Sequence, residues 1–301
     1  MGLSSYTYID LLISAVLSLM MIGIGLSLTP SSFKNVFTEP KALLIGLTIQ
    51  MIGLPIIAFL ITLLSDLSLP LRIGLIILAA CPGGTTAGII SFFFKGNVAL
   101  AITFTSINSL LTLFSIPFIT NLALRYYYGH TVEIQLPYLE TLLQIFSVTI
   151  LPAAIGVLIR IYKPVFAARI QQSLRYILLV ALAAVFIIKF FASEQAGGTG
   201  ITWNEIIQIS PYALLLNAVC FLFGYVIGVT TKLGTANSYT IAIEAAVHNT
   251  TLAFLVAGTI LQNQDMVKPS LIYAMFSFWT ALLFSYAIKR YCGLKPLAEF
   301  K

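Results

Sequence analysis

The feature that most limits what this chain can become is a succession of nine apolar stretches, at about 8 to 28, 42 to 64, 72 to 94, 97 to 123, 137 to 159, 176 to 193, 207 to 230, 238 to 262 and 269 to 289. Runs of roughly 17 to 25 apolar residues match the thickness of a bilayer crossed by a helix, and exceed the roughly 10 residues of a barrel strand. Only helices and closed barrels satisfy their backbone in lipid, so the runs predict a helical bundle. The segments between them are too short to fold separately. Of the 301 residues, 59% are hydrophobic and 9% charged, which leaves too little polar surface for a water-soluble fold. The expected class is therefore all-α, a polytopic membrane protein forming a single transmembrane unit across residues 1–301.

Charge then reports on topology. The formal net charge of +6 comes from Lys and Arg scattered through short loops rather than gathered in a patch, which argues against a nucleic-acid partner. With the amino terminus outside, twelve of the sixteen basic residues fall on inner loops or the tail: Lys34, Lys41, Lys95, Arg160, Lys163, Arg169, Arg175, Lys232, Lys289, Arg290, Lys295 and Lys301. Arg72, Arg125, Lys189 and Lys268 remain outside. That bias predicts an outside amino terminus and a cytoplasmic carboxyl terminus in a plasma membrane, a bacterial inner membrane by the family likeness described below. Met1 to Tyr8 lacks a basic region and a cleavage site, so the first run is expected to stay in the mature protein. Cys81, Cys220 and Cys292 have no disulfide or zinc spacing. Tyr126, Tyr127, Tyr128 and Trp203 are placed as interfacial anchors. The Gly197-Gly198-Thr199-Gly200 stretch follows no strand and reads as an outer loop.

The polar interruptions carry the functional signal. Cys81-Pro82-Gly83-Gly84-Thr85-Thr86-Ala87-Gly88, in the third run, cannot continue as ordinary helix, because Pro82 removes a hydrogen bond and the glycines disfavour the conformation. The freed backbone needs partners in protein or in a water-filled cavity, and a second half-helix starting near Thr85 would turn its positive end toward an anion. The eighth run holds Glu244-Ala245-Ala246-Val247-His248-Asn249-Thr250-Thr251. A carboxylate at mid-bilayer costs roughly 2.5 to 3.5 kcal/mol, so Glu244 should meet a cavity, a cation or a partner. His248, four residues on, can share its face. Paired interruptions of this kind mark substrate sites in secondary transporters, although the eighth run has neither Pro nor Gly at its polar centre.

These residues resemble the bile acid:sodium symporter family. The likeness runs through Gly23-Ile24-Gly25-Leu26-Ser27-Leu28-Thr29-Pro30-Ser31-Ser32-Phe33, then Gln50 followed by Pro55, then Cys81-Pro82-Gly83-Gly84-Thr85, Lys95-Gly96-Asn97-Val98-Ala99-Leu100 and Ile243-Glu244 to His248-Asn249. It implies inverted repeats, two crossing broken helices, and substrate bound between a panel and a core domain. The nine-span form lacks the family's first helix, giving a panel of about 8–28 and 137–193 and a core of about 42–123 and 207–290. It implies alternating-access transport of a small organic anion, from bile-acid-like steroids to carboxylates such as pantoate or keto acids. Thr85, Thr86, Asn249 and Thr280 become the substrate-binding candidates.

The sodium ligands carry over unevenly. One family site uses a Ser-Asn pair, a Ser, a Thr and a Glu, where this chain has Ala87-Gly88, Ala101, Thr105 and Glu244. Three oxygen-bearing side chains are gone, leaving Thr105 as the remnant of a site, since hard cations need oxygen ligands. The other site carries over as Gln50, Glu244, the Ala245 and Val247 carbonyls, and His248 in place of a Gln. Sodium at this one site, coupling to a proton through a Glu-His pair, and uncoupled transport all stay open. No organic cofactor motif occurs. An intramembrane enzyme is disfavoured by the lack of His-Glu-x-x-His and Gly-x-Ser-x-Gly, His130 being one of just two histidines and lying in a loop. A transporter-derived channel or sensor is the remaining alternative.

Overall fold

The computed structural model describes residues 8–28, 40–129, 137–194 and 197–292. Thr29 to Phe33 of the first motif, Lys34, His130, Lys295 and Lys301 lie outside the described residues, as do the side chains of Thr85, Arg175 and Cys292. The described residues build eleven helical segments: α1 (Tyr8–Ser27), α2 (Pro40–Leu63), α3 (Leu69–Ala80), α4 (Thr85–Phe93), α5 (Val98–Tyr128), α6 (Tyr138–Tyr162), α7 (Pro164–Phe191), α8 (Trp203–Thr230), α9 (Thr235–Ala246), α10 (Thr250–Ile260) and α11 (Gln264–Cys292). Seven of them are long and apolar enough to cross a membrane. The other four are the halves of two interrupted runs, α3 with α4 and α9 with α10. Seven continuous and two broken segments thus account for the nine apolar runs, and the protein is an all-α, multi-pass membrane protein.

Sequence chemistry explains several local departures from straight helix. A π turn at Ile49–Gly53 precedes Pro55, and another at Phe146–Ile150 precedes Pro152. In each case a residue without an amide hydrogen follows, and Leu54 and Leu151 bond five residues back to Ile49 and Phe146. The π turn in α2 carries Gln50, which it turns into the protein interior. The sixth run is longer than its hydropathy suggests. Lys163 alone separates α6 from α7, because Pro164 presets the first turn of a new helix, so Arg169 and Arg175 belong to α7 rather than to a loop.

Small residues set the closest approaches. α1 lies along α6 where Gly25 meets Gly156, and a Cβ on Gly156 would come within 2.9 Å of the Gly25 Cα. α1 also packs on α7, while α8 packs on α9 and α11 on α3 and α8. The Lys95-Gly96-Asn97 turn fixes α4 and α5 against α9. Asn97 accepts at its side-chain oxygen from the Leu100 amide as an N-cap, donates from Nδ2 to Asn237 at 2.8 Å, and donates its backbone N–H to Thr240 Oγ1 at 2.8 Å. Lys95 takes a positive φ of 60° and Gly96 leaves no room for a Cβ beside the Tyr239 ring, which accounts for that motif structurally.

Candidate functional site

The two interruptions meet. Gly83 and His248 form an isolated antiparallel bridge; the Gly84 N–H donates to the Val247 carbonyl, and the Asn249 N–H donates to the Pro82 carbonyl at 2.8 Å. Each break therefore satisfies the backbone groups the other frees, as buried peptide requires. The glycines are needed for space rather than for unusual dihedrals. Neither has a positive φ, but a Cβ on Gly83 would collide with the Glu244 carboxylate, and one on Gly84 would lie 3.2 Å from the His248 carbonyl oxygen.

Around this crossing, polar side chains from five helices are buried. Glu244, fully enclosed near the end of α9, accepts from Thr105 Oγ1 of α5 at 2.9 Å through Oε2. Gln50 of α2 donates from Nε2 to the Cys81 carbonyl at 2.9 Å, tying the π turn to the end of α3. Asn217 of α8 donates to the Ala246 carbonyl at 3.1 Å and to the Tyr273 hydroxyl of α11 at 2.8 Å. The Tyr273 hydroxyl itself donates to the Ala246 carbonyl, so its single proton is committed. His248 Nδ1, 3.0 Å from that hydroxyl, must then supply the proton between them, which assigns the Nδ1–H tautomer and leaves Nε2 as a bare lone pair.

Among the described residues of the crossing, three buried acceptors consequently remain without a hydrogen-bond partner: Gln50 Oε1, Glu244 Oε1 and His248 Nε2. An unpaired buried acceptor costs about 1 to 3 kcal/mol, and a set made only of acceptors is complementary to a cation or a bound proton. Oxygen from an amide, a carboxylate and nearby carbonyls suits a hard monovalent ion. Among the described residues no group of three or more His, Cys, Asp or Glu side chains is placed to hold a metal ion. The Thr105 remnant is different in character. Its hydroxyl already donates to Glu244, Ala87 and Ala101 are buried and bear no oxygen, and a Cβ at Gly88 would meet nothing within 4 Å.

A cavity of about 600 Å³ opens beside the crossing, between α1 and α7 on one side and α4 and α5 on the other. It reaches Gly84 and is mostly apolar, with Thr86, Thr105, Ser27 and Gln171 as hydroxyl and amide groups on its wall. Gly88 and Ala101 line it as well, so two of the three positions where the resemblance would place an oxygen ligand leave space instead. Ser27 and Gln171 were not singled out in the sequence. Gln171 donates to Ser27 Oγ at 2.8 Å, and Ser27 donates to the Gly23 carbonyl at 3.0 Å. The spacing of Met20, Gly23, Ile24 and Ser27 puts Ser27 on one face of α1, but that face gains meaning only from the cavity, and no such spacing marks Gln171.

The substrate candidates separate accordingly. Thr86 lies on the cavity wall, and Thr85 begins α4 at the crossing. Asn249 caps α10, its side-chain oxygen accepting from the Leu252 amide at 3.0 Å, and it is not among the cavity-lining residues. Thr280 donates its hydroxyl to the Phe276 and Ser277 carbonyls of its own helix and is not among the cavity-lining residues. The structure thus brings Gln50, Glu244, Ala245, Val247 and His248 around one crossing, with Thr105 attached to it, and leaves Thr280 apart.

Two broken helices cross deep in an apolar bundle, beside a cavity bounded by a second group of helices, an arrangement that polytopic membrane transporters use for their substrate sites. Residues 14–196 match the Sodium Bile acid symporter family, and the chain belongs to that family. It is 25% identical over 276 residues to the uncharacterized sodium-dependent transporter YocS of Bacillus subtilis, an alignment covering 92% of this chain and 81% of that protein. It is 29% identical over 260 residues to the probable chloroplastic sodium/metabolite cotransporter BASS2 of rice, covering 84% of this chain and 58% of the relative. The rat hepatic sodium/bile acid cotransporter is 21% identical over 295 residues, covering 96% and 79%. The chain spans less than two thirds of the rice relative's length. The family and these relatives are transporters rather than enzymes.

Proposed function

We propose that the protein is a secondary active transporter that carries a small organic anion by alternating access, coupled to sodium at no more than one site. The observation that carries this reading is the crossing itself, where Gly83 pairs with His248 next to a cavity of about 600 Å³. At such a crossing the amide end of α4 is presented toward the cavity through Gly84 and Thr86, a geometry that favours negative charge. A volume of this size accommodates a compound of a few to a few tens of heavy atoms, within the usual range of small-molecule pockets. Bile-acid-like compounds and carboxylates such as pantoate or keto acids both belong to the class proposed. The division proposed with it is a panel of α1, α6 and α7 and a core of α2 to α5 and α8 to α11.

Sodium, as a co-transported substrate, would be held by Gln50 Oε1, Glu244 Oε1 and the carbonyls of Ala245 and Val247. The support is the pair of buried, partnerless oxygens on Gln50 and Glu244. His248 takes a position where a further oxygen would strengthen such a site, and its bare Nε2 also supports the proton-coupled alternative. Thr105 and Glu244 alone are too few oxygens for a second site. The orientation proposed is amino terminus outside and carboxyl terminus inside, in a bacterial plasma membrane. Uptake of a panel of labelled organic anions into proteoliposomes, with sodium and proton gradients imposed separately, tests the reading. Saturable uptake with counterflow is expected; binding without flux indicates a sensor, and unsaturable flux a channel.

A further inference from the structure

Both α1 and α7 present one continuous face to the rest of the molecule, and the two halves of that face meet different things. On α1, Met20, Gly23, Ile24 and Ser27 border the cavity, while Asp10, Ile13 and Leu17 continue the same stripe and are buried. On α7, Gln171, Leu174, Leu178 and Leu182 border the cavity, and Lys189 follows two turns beyond Leu182 on the same side. Ser27 and Asp10 are 17 residues apart, about 26 Å along the helix, close to the full depth of the hydrocarbon layer. The cavity therefore occupies one end of this interface and the Asp10 and Lys189 side chains the other.

At that second end α1 meets α10 and α7 meets α11. Thr259 of α10 donates to Asp10 Oδ1 at 3.2 Å, and the Lys189 ammonium donates to Gln264 Oε1 of α11 at 3.0 Å. Lys189 is 0% exposed and Asp10 8%, and Asp10 is near enough to act electrostatically on Lys189. Ionisable groups enclosed within apolar helices are costly and need a role or a partner. Here the two sit at one end of the same pair of helices, each reaching across to the neighbouring group. Both crossing bonds are made by side chains, whereas the helix crossing at Gly83 and His248 is held by main-chain bonds. Side-chain contacts can be released and remade without unfolding backbone.

We infer that Asp10, Lys189, Thr259 and Gln264 form a clasp that keeps one end of the transport path shut while the Ser27 and Gln171 end stands open, and that this clasp must open once per cycle. The inference rests on the transport reading of the cavity. The four are positioning residues: they set which side the cavity faces and do not touch the substrate in this state.

The test places a cysteine at the cavity wall, Leu182→Cys, and measures its labelling by a membrane-impermeant thiol reagent applied from each side of oriented vesicles, against the parent protein as background. In the otherwise unaltered protein, labelling should come from the Gln171 side. Adding Thr259→Val or Gln264→Leu, which act on the core side and remove no charge, should raise labelling from the Asp10 side about fivefold, the effect of one net hydrogen bond. Lys189→Met should do the same or more. Variants that stay monodisperse yet show unchanged sidedness, even if they melt earlier, overturn the clasp and leave only a structural role. If the labelling shifts while the unaltered protein takes up no organic anion, the transport reading fails, and with it the clasp's part in a transport cycle, leaving a contact that only closes this end of the cavity. If uptake is intact and sidedness never moves, the clasp fails and the transport reading stands.

Discussion

The break between α3 and α4 and the break between α9 and α10 end in one joint but are encoded differently. The first is written in residues that cannot continue a helix, Pro82, Gly83 and Gly84. The second contains Val247, His248 and Asn249, none of which stops a helix by backbone geometry alone. Its interruption is held by what surrounds it: the Asn249 cap on α10, the Pro82 carbonyl that takes the Asn249 N–H, and the Asn217 and Tyr273 donors that take the Ala246 carbonyl. A helix break can therefore be specified from outside, by partners that satisfy its loose ends better than the continuing helix would. The first break supplies slack and the second supplies chemistry, since Glu244 lies just before it and His248 within it.

Substitutions that break the comparison should scale with this division. Gly83→Val is expected to have the largest effect, because its side chain would be driven into the Glu244 carboxylate; a loss of about 3 kcal/mol or failure to insert and fold is predicted, read by yield and thermal melting of the purified protein. Glu244→Gln should spare the fold but abolish ion-dependent stabilisation, worth about 2.7 kcal/mol when the ion is present at a hundred times its dissociation constant. Melting curves with and without sodium would reveal it; an ion response of full size in the variant removes Glu244 from the site. Asn249→Ala strips the cap from α10 and should cost about 1 kcal/mol, with a faster hydrogen exchange of the Leu252 amide as its local signature. His248→Gln should be the mildest, keeping the main-chain joint while offering an oxygen in place of Nε2; a stronger sodium dependence of stability is expected, and identical sodium titrations would count against a ligand role.

Much of this was legible in the sequence. Nine apolar runs, the half-helix starting at Thr85 and the isolation of Glu244 in the eighth run follow from hydropathy and from the backbone rules for Pro and Gly. The length of α7 was not, because its first turns carry Arg169, Gln171 and Arg175 and only Pro164 announces the helix. Ser27 and Gln171 escaped notice because a Ser and a Gln at helix faces are unremarkable until the opposite wall of the cavity is known. Thr280 shows the converse. A hydroxyl on the last helix could be counted toward the cavity by analogy, but in the structure it bonds to its own helix. Likewise Asn249 is a polar residue beside the site whose side-chain oxygen is used as a cap. Local chemistry fixes where a helix must break, whereas the direction a polar side chain faces depends on partners far away in the chain.

We propose that Gln50 and Glu244 at the crossing form a single cation site coupled to organic-anion transport. It is tested most directly by comparing sodium-dependent thermal stabilisation of the wild type, Gln50→Leu and Glu244→Gln, each with and without a saturating organic anion that the wild type transports. A sodium shift that the anion enlarges is expected in the wild type, and no sodium shift in either variant. Equal shifts in all three proteins, or anion stabilisation that ignores sodium and persists in both variants, would contradict it.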